Sequence, residues 1–150
     1  EHEAKSISKE TTFASDVADG RTLRETLLAL STGVGRRLRR AGLAGRTVKL
    51  KLRWADFTTL TRQSTLRRPT DQDGEIYDAA LALFDQTWQR GRPVRLIGVG
   101  VSGLETAARQ LSLWETESSE ERRLLEAIDR LRDRFGEGVV KRGSQLHSDY

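Results

Sequence analysis

A short run of strictly alternating residues constrains the fold of this chain more than any other feature. Apolar side chains at Val48, Leu50, Leu52 and Trp54 alternate with the basic residues Lys49, Lys51 and Arg53. Successive side chains of a β-strand point to opposite faces of its sheet, so this period of two predicts a strand with one apolar face and one basic face. The chain is therefore expected to form a sheet that is covered on one side and open on the other.

Two segments have the three-to-four-residue apolar period of amphipathic helices. The first runs from Thr22 to Gly42, and Thr22 and Glu25 have the spacing of a capping box. The second runs from about residue 74 to 89, with a cap predicted near Asp71 or Asp73. Each helix has a single apolar stripe, so together they are expected to cover only one face of a sheet.

Three further strands are predicted at Ser6–Phe13, Phe57–Leu66 and Val94–Val101, which gives the order β-α-β-β-α-β. The expected fold is α+β and ferredoxin-like: a four-stranded, mainly antiparallel sheet with two helices on one face. Residues 1–114 are interpreted as this domain. In residues 115–150, an acidic linker is predicted at 115–121 and an amphipathic helix at 119–135, so the two predictions overlap at 119–121. The helix needs either this domain or another protein as its partner surface.

The positive charge is concentrated in the first half of the chain. Residues 1–70 contain 15 Lys and Arg against 7 Asp and Glu, whereas residues 71–114 and 115–150 each have a net charge of −2. This asymmetry favours a polyanionic partner, and nucleic acid rather than a membrane. There is no cysteine and no apolar run long enough to span a bilayer. The absence of methionine suggests a piece of a longer protein.

The basic face of the alternating strand suits a phosphate backbone. Lys49, Lys51 and Arg53 repeat at about 6.6 Å, twice the rise of a strand, which is close to the spacing of successive phosphates. Hydroxyl and amide groups that position phosphates follow in the next strand, at Thr59, Thr61, Gln63 and Thr65. Because no aromatic residues are interleaved with them, base stacking is not expected.

Other classes of function are weaker readings of the same residues. Gly98, Gly100 and Gly103 resemble a dinucleotide-binding motif, but they lie within and after a strand rather than at a strand–helix junction. No catalytic triad or metal-binding cluster is apparent, so an independent enzyme is not expected. A ferredoxin-like protein-interaction or oligomerisation domain is the main alternative, although it would require a more apolar open face.

Three segments carry a resemblance to a known family: KSISKETTF, KLKLRWADFTTLTRQSTL and VRLIGVGVSGL. Over residues 4–114 they resemble the little finger, the C-terminal domain of bacterial Y-family (translesion) DNA polymerases of the DNA polymerase IV type. The resemblance implies sequence-independent binding of primer–template duplex DNA through the open sheet face. The implied DNA contacts are Lys5, Ser6, Ser8 and Lys9 in the first strand, Thr61, Arg62, Gln63 and Ser64 in the third, and Arg95, Gly98, Gly100 and Ser102 in the fourth.

The segment Gln110, Leu111, Ser112, Leu113 and Trp114 resembles the pentapeptide through which such polymerases bind the bacterial sliding clamp. Leu113 and Trp114 would enter an apolar pocket of the clamp, and Gln110 would form a hydrogen bond at its edge. The resemblance also implies a parent polymerase whose palm, fingers and thumb hold magnesium and the catalytic residues. For this chain itself no catalytic residue, cofactor or metal is expected, and a cytoplasmic location follows from the resemblance.

Overall fold

The computed structural model describes residues 6–107 and 116–135, and in the last helix the side chains of residues 120–134. Along the chain the elements are β1 (Ser6–Val17), α1 (Gly20–Ala41), β2 (Leu43–Trp54), β3 (Thr59–Thr70), α2 (Asp73–Thr87), β4 (Val94–Thr106) and α3 (Thr116–Phe135). The predicted order β-α-β-β-α-β is confirmed, and the sheet is antiparallel throughout, with strand order β1-β4-β2-β3.

Helices α1 and α2 cover one face of the sheet and enclose the hydrophobic core. The apolar residues of the alternating segment, Val48, Leu50, Leu52 and Trp54, are at most 2% exposed. They pack with the apolar stripes of both helices, which include Leu27, Val34 and Phe84. Over residues 6–107 and 116–135 no helix covers the other face of the sheet, as the two single stripes predicted. We call it the open face.

The two helix starts differ from the sequence prediction. Helix α1 begins at Gly20, and the Asp19 side chain caps it by accepting hydrogen bonds from the backbone N–H and the hydroxyl of Thr22. The predicted Thr22–Glu25 capping box is therefore wrong, because the carboxylate three residues upstream serves as the acceptor. The hydrogen bond from the Thr22 hydroxyl also holds the pKa of Asp19 below its usual range.

Helix α2 has Gln72 at its N-cap, without a side-chain capping bond, so the prediction of a cap at Asp71 or Asp73 is also wrong. Asp73 is instead the first helical residue, and its fully buried side chain pairs with Arg39 of α1.

The predicted end of helix α1 at Gly42 is confirmed. Gly42 adopts a left-handed conformation there, with φ of 70°, which favours glycine.

Strands β2 and β4 extend beyond the predicted segments, to Leu43 and to Thr106. The register of β2 against β3 shifts between Gly45 and Thr47, so the alternation of apolar and polar residues is interrupted there. A period-two pattern read from the sequence therefore starts only after this irregularity. Strand β3 begins at Thr59 rather than at residue 57 and continues to Thr70.

Helix α3 docks on the domain through its charged side. Arg39 of α1 binds Asp129, and Asp133 pairs with Arg36 and Arg40. Leu125 is buried, but Leu124 is 61% exposed. The partner surface of the predicted amphipathic helix is therefore this domain, which it contacts through ion pairs and through Leu125 of its apolar stripe.

The predicted acidic linker is also corrected, because α3 begins at Thr116 and residues 116–121 are helical. Acidic residues near a helix N-terminus are stabilised by the helix dipole, so an acidic run can open a helix as readily as it can form a linker.

Candidate nucleic-acid interface

The open face is organised in four rows that cross the strands in the order β1, β4, β2, β3. The paired residues give the rows directly. They are Ser6, Ser102, Thr47 and Thr65; then Ser8, Gly100, Lys49 and Gln63; then Glu10, Gly98, Lys51 and Thr61; then Thr12, Leu96, Arg53 and Thr59. Residues in one row share a face because the antiparallel pairs lie directly opposite each other.

A shallow groove runs along β4 in the middle of this face. It has a volume of about 180 Å³, and Gly98 and Gly100 form its floor. A Cβ atom on Gly98 would lie 3.0 Å from the Cβ of Glu10, and one on Gly100 would lie 3.1 Å from the Cβ of Ser8. A side chain at either position would therefore crowd its neighbour on β1, and with glycine at both the floor of the groove consists of backbone.

The walls of the groove are charged. Lys49 and Lys51 lie on the β2 side, and Glu10 lies on the β1 side. The Nζ of Lys51 is 3.3 Å from Oε1 of Glu10, and both side chains are partly exposed. In the last row, Nε of Arg53 donates to the hydroxyl of Thr59 at 2.8 Å. Three cations and one carboxylate give these four rows a net charge of +2.

Most of the residues predicted to bind DNA lie on the open face. These are Ser6, Ser8, Lys49, Lys51, Arg53, Thr61, Gln63, Gly98, Gly100 and Ser102. Lys5 lies outside the described residues, as does the whole segment 110–114 proposed to bind the clamp.

The expectation that the whole set shares the open face is wrong for Lys9, Arg62 and Ser64. These residues pair with the core residues Val99, Leu50 and Val48, and so they lie on the helix side of the sheet. The Lys9 chain passes over α1, where a Cβ on Gly33 would be 2.7 Å from its Cδ. The physical reason is the period of two, which prevents consecutive residues of one strand from facing the same way.

Arg95 lies at an irregularity of β4. Leu96 pairs with Arg53 and Val94 pairs with Trp54, so Arg95 is the additional residue of a β-bulge. Its guanidinium lies 4.6 Å from the centre of the Phe57 ring, and Nη1 is 3.9 Å from a carboxylate oxygen of Asp16.

Two residues of this region, Glu10 and Phe57, were not among the predicted site residues. Glu10 was detectable, because alternation from Ser6 and Ser8 places it on the open face. Phe57 was assigned to the third strand, and no turn rule favours an aromatic residue at its position.

Residues 4–113 match the family described as the impB/mucB/samB family C-terminal domain. The chain belongs to this family. The DNA polymerase IV of Desulfatibacillum aliphaticivorans is 42% identical over 142 residues, which are 92% of this chain and 36% of that protein. The DNA polymerase IV of Pelotomaculum thermopropionicum is 39% identical over 143 residues, 95% of this chain and 35% of that protein.

A solved structure has the same fold as this member of the family. It is described as a complex of the beta-clamp processivity factor and the little finger domain of PolIV; the TM-score is 0.55 at 24% identity, over 67% of this chain and 89% of that one. The family match and the two relatives confirm the predicted resemblance to polymerases of the DNA polymerase IV type, and the solved little finger shares the fold of this domain. The chain spans about a third of the length of the polymerases that it matches.

Within residues 6–107 and 116–135, no cluster of three or more His, Cys, Asp and Glu side chains is arranged to hold a metal ion. Of the helices described for this chain, none has the length and apolar character needed to cross a membrane.

Proposed function

We propose that this domain binds the sugar–phosphate backbone of primer–template duplex DNA without reading its sequence, as the little finger of a Y-family DNA polymerase. The observation that carries the proposal is the line of Lys49, Lys51 and Arg53 along β2, on the open face, beside a groove whose floor is backbone. Contacts of this kind position a protein on DNA and carry no sequence information.

The surroundings of the cations support phosphate binding. Hydroxyl groups lie in the rows of the cations, at Ser8 and Thr61, and in the neighbouring row, at Ser6 and Ser102, and hydroxyls donate readily to phosphate oxygens. The groove floor at Gly98 and Gly100 lets another backbone approach closely. The polar character of the four rows also disfavours the alternative of an oligomerisation domain, which would bury this face against a second sheet.

The parent protein is proposed to be a template-directed DNA polymerase. Its palm, fingers and thumb would supply the magnesium ions and the catalytic residues, and the present domain would hold the duplex. A cytoplasmic location is part of the same proposal. The proposal for the parent protein is supported by sequence identities of 42% and 39% to two proteins named DNA polymerase IV, each over more than 90% of this chain.

Residues Gln110 to Trp114 are proposed to tether the domain to the sliding clamp. The segment follows β4, and the solved little finger of similar fold is described in complex with a beta clamp. Immobilised clamp should capture the chain, and Leu113→Ala combined with Trp114→Ala should abolish capture while leaving DNA binding intact. Undiminished capture of this double variant would exclude the pentapeptide as the tether.

The proposed grip on DNA is tested by fluorescence anisotropy of a labelled primer–template duplex at several salt concentrations. About four neutralised phosphates should give a slope of log K against log salt near −3.6, because each releases about 0.9 counterion. Exchange of Lys49, Lys51 and Arg53 for Gln should reduce the slope by about 2.7. The matched control exchanges three exposed arginines elsewhere, Arg90, Arg123 and Arg130, and lowers the net charge equally.

A fall in slope confined to the open-face variant would support the proposal. An equal fall in both variants would show that only net charge matters. Absence of binding by the folded domain at about 20 mM salt, where phosphate contacts are strongest, would refute the proposal. A stable dimer that forms equally with and without DNA would instead favour the alternative of an oligomerisation domain.

A further inference from the structure

The turn between β2 and β3 has a residue that turn chemistry disfavours. Its backbone is held by hydrogen bonds from Phe57 N–H to the Trp54 carbonyl and from Trp54 N–H to the Thr58 carbonyl, both at 2.9 Å. The Thr58 N–H donates to the Asp56 carboxylate, also at 2.9 Å. Within this frame Phe57 has a φ of 72°, in the left-handed region. Hairpin turns normally place glycine or asparagine there.

The Phe57 side chain is not buried, so burial of the ring does not offset the strain of its backbone conformation. It is 64% exposed, the largest exposed fraction among the large hydrophobic side chains in the described part of the chain. A bulky residue at positive φ is an outlier, and such outliers cluster where a backbone is held for binding or catalysis. Neither core packing nor turn geometry therefore accounts for an aromatic ring at this position.

The location of the ring connects it to the open face. The turn directly follows the last row, in which Arg53 pairs with Thr59. Arg95, from the β4 bulge, lies against the ring at 4.6 Å. Arg95 Nη1 lies 3.9 Å from the Asp16 carboxylate, which is an ion-pair distance but too long for a hydrogen bond.

We propose that Phe57 packs against the deoxyribose of duplex DNA at the end of the open face, while Arg95 binds the adjacent phosphate. This inference rests on the proposed function and adds a non-ionic contact to it. An apolar ring beside an arginine matches the composition of a sugar–phosphate backbone, in which C–H groups alternate with anions. The bases of a DNA duplex are stacked on one another, so apart from the thymine methyl groups of the major groove the sugars are the apolar groups that a contact from outside can reach.

The test compares Phe57→Ala with the parent chain on a blunt duplex and on the same duplex with a single-stranded overhang, over a series of salt concentrations. Leu124→Ala is the matched control, because Leu124 is 61% exposed and lies on α3, away from the open face. We expect Phe57→Ala to weaken binding about five- to tenfold on both DNAs, an effect in the range of a lost aromatic contact. The salt slope should not change, because no counterion is involved.

A second variant, Phe57→Gly, separates binding from folding. Glycine accepts the positive φ without strain, so thermal stability should be equal or higher while the affinity for DNA falls as it does in Phe57→Ala. A lower melting temperature in Phe57→Gly would assign the ring a structural role and overturn the inference.

The remaining outcomes distinguish this inference from the proposed function. If Phe57→Ala binds both DNAs as the parent chain does, while the Lys49, Lys51 and Arg53 variant loses slope, the deoxyribose contact is refuted and the backbone grip stands. A loss seen only with the overhang would mean base stacking and would also refute it. Absence of binding by the parent chain would refute the proposed function itself.

Discussion

Replacement of Arg39 by Met should destabilise the domain more than any substitution on the open face. The Arg39 side chain is only 2% exposed, and its guanidinium makes four hydrogen bonds. Nη1 donates to the Asp71 carbonyl at 2.7 Å and to Asp73 at 2.8 Å. Nε and Nη2 donate to the two carboxylate oxygens of Asp129 at 2.6 and 2.9 Å. Burial alone would lower the pKa of Arg39, but the bonds and charges of Asp129 and Asp73 raise it above its ordinary value.

The expected loss of stability follows from the contacts of Arg39 that Met cannot make. The Asp73 side chain is fully buried and would lose its Arg39 partner, and removal of one member of a buried pair costs about 3–5 kcal/mol. Asp129 belongs to α3 and regains water if that helix detaches, so the lower part of this range is expected. A loss of about 3 kcal/mol corresponds to a fall in melting temperature of about 10 °C for a domain of this size.

Urea unfolding followed by tryptophan fluorescence measures the loss, since Trp54 is buried and Trp88 stacks on the core residue Phe84. The control is Asp129→Asn, which leaves the Arg39–Asp73 pair intact and should cost only about 1 kcal/mol. A loss below about 1 kcal/mol in Arg39→Met, or equal losses in both variants, would refute the assignment of the main stabilising contact to the buried Arg39–Asp73 pair.

Two further predictions concern charges at the groove and at α3. Glu10→Gln removes the carboxylate beside Lys51, and it should tighten DNA binding about two- to fivefold at low salt; unchanged or weaker binding in the anisotropy titration would contradict this. The hydrogen bond from Arg36 holds the pKa of Asp133 below its usual value, so its contribution to α3 docking is present above the unfolded pKa of about 4 and is lost as the pH falls through the folded pKa. Amide-exchange protection of α3 should fall in that acidic range, and less so in Asp133→Asn; equal acid sensitivity in both would contradict it.

The sequence predicted the order of the elements because three of them had a strong period and the other strands were rich in β-forming residues. Two-residue alternation in β2 and three-to-four-residue stripes in α1 and α2 were confirmed without knowledge of tertiary contacts. The helix starts were not predictable in the same way. Several acceptors compete near each start, and the outcome depended on which backbone donors they faced, as for Asp19, or on a distant partner, as for Asp73 and Arg39.

The candidate site was predictable in part, for a related reason. The basic face of β2 follows from the alternation alone, but the contacts that the resemblance implies in β1 and β3 are mostly consecutive residues, and half of such a run must face the helices. The sequence of α3 did not predict how the helix docks. An apolar stripe suggests that the stripe is buried, whereas the structure buries a salt bridge between Arg39 and Asp129 and leaves Leu124 exposed. The role proposed for Phe57 depends on a φ value that no sequence pattern reveals.

The pairing of β1 with β4 determines how the domain responds to mechanical tension. In this antiparallel pair Ser6 lies opposite Ser102, so the start of β1 and the end of β4 meet at the same end of the sheet. A pull applied between Ser6 and Thr106 would load the hydrogen bonds one after another, in an unzipping geometry, rather than all together in shear. β4 would remain paired with β2, since the strand order places β1 at the edge. The edge strand would therefore peel away first, and the domain would yield to low force along this axis while the rows on β4, β2 and β3 stayed in register.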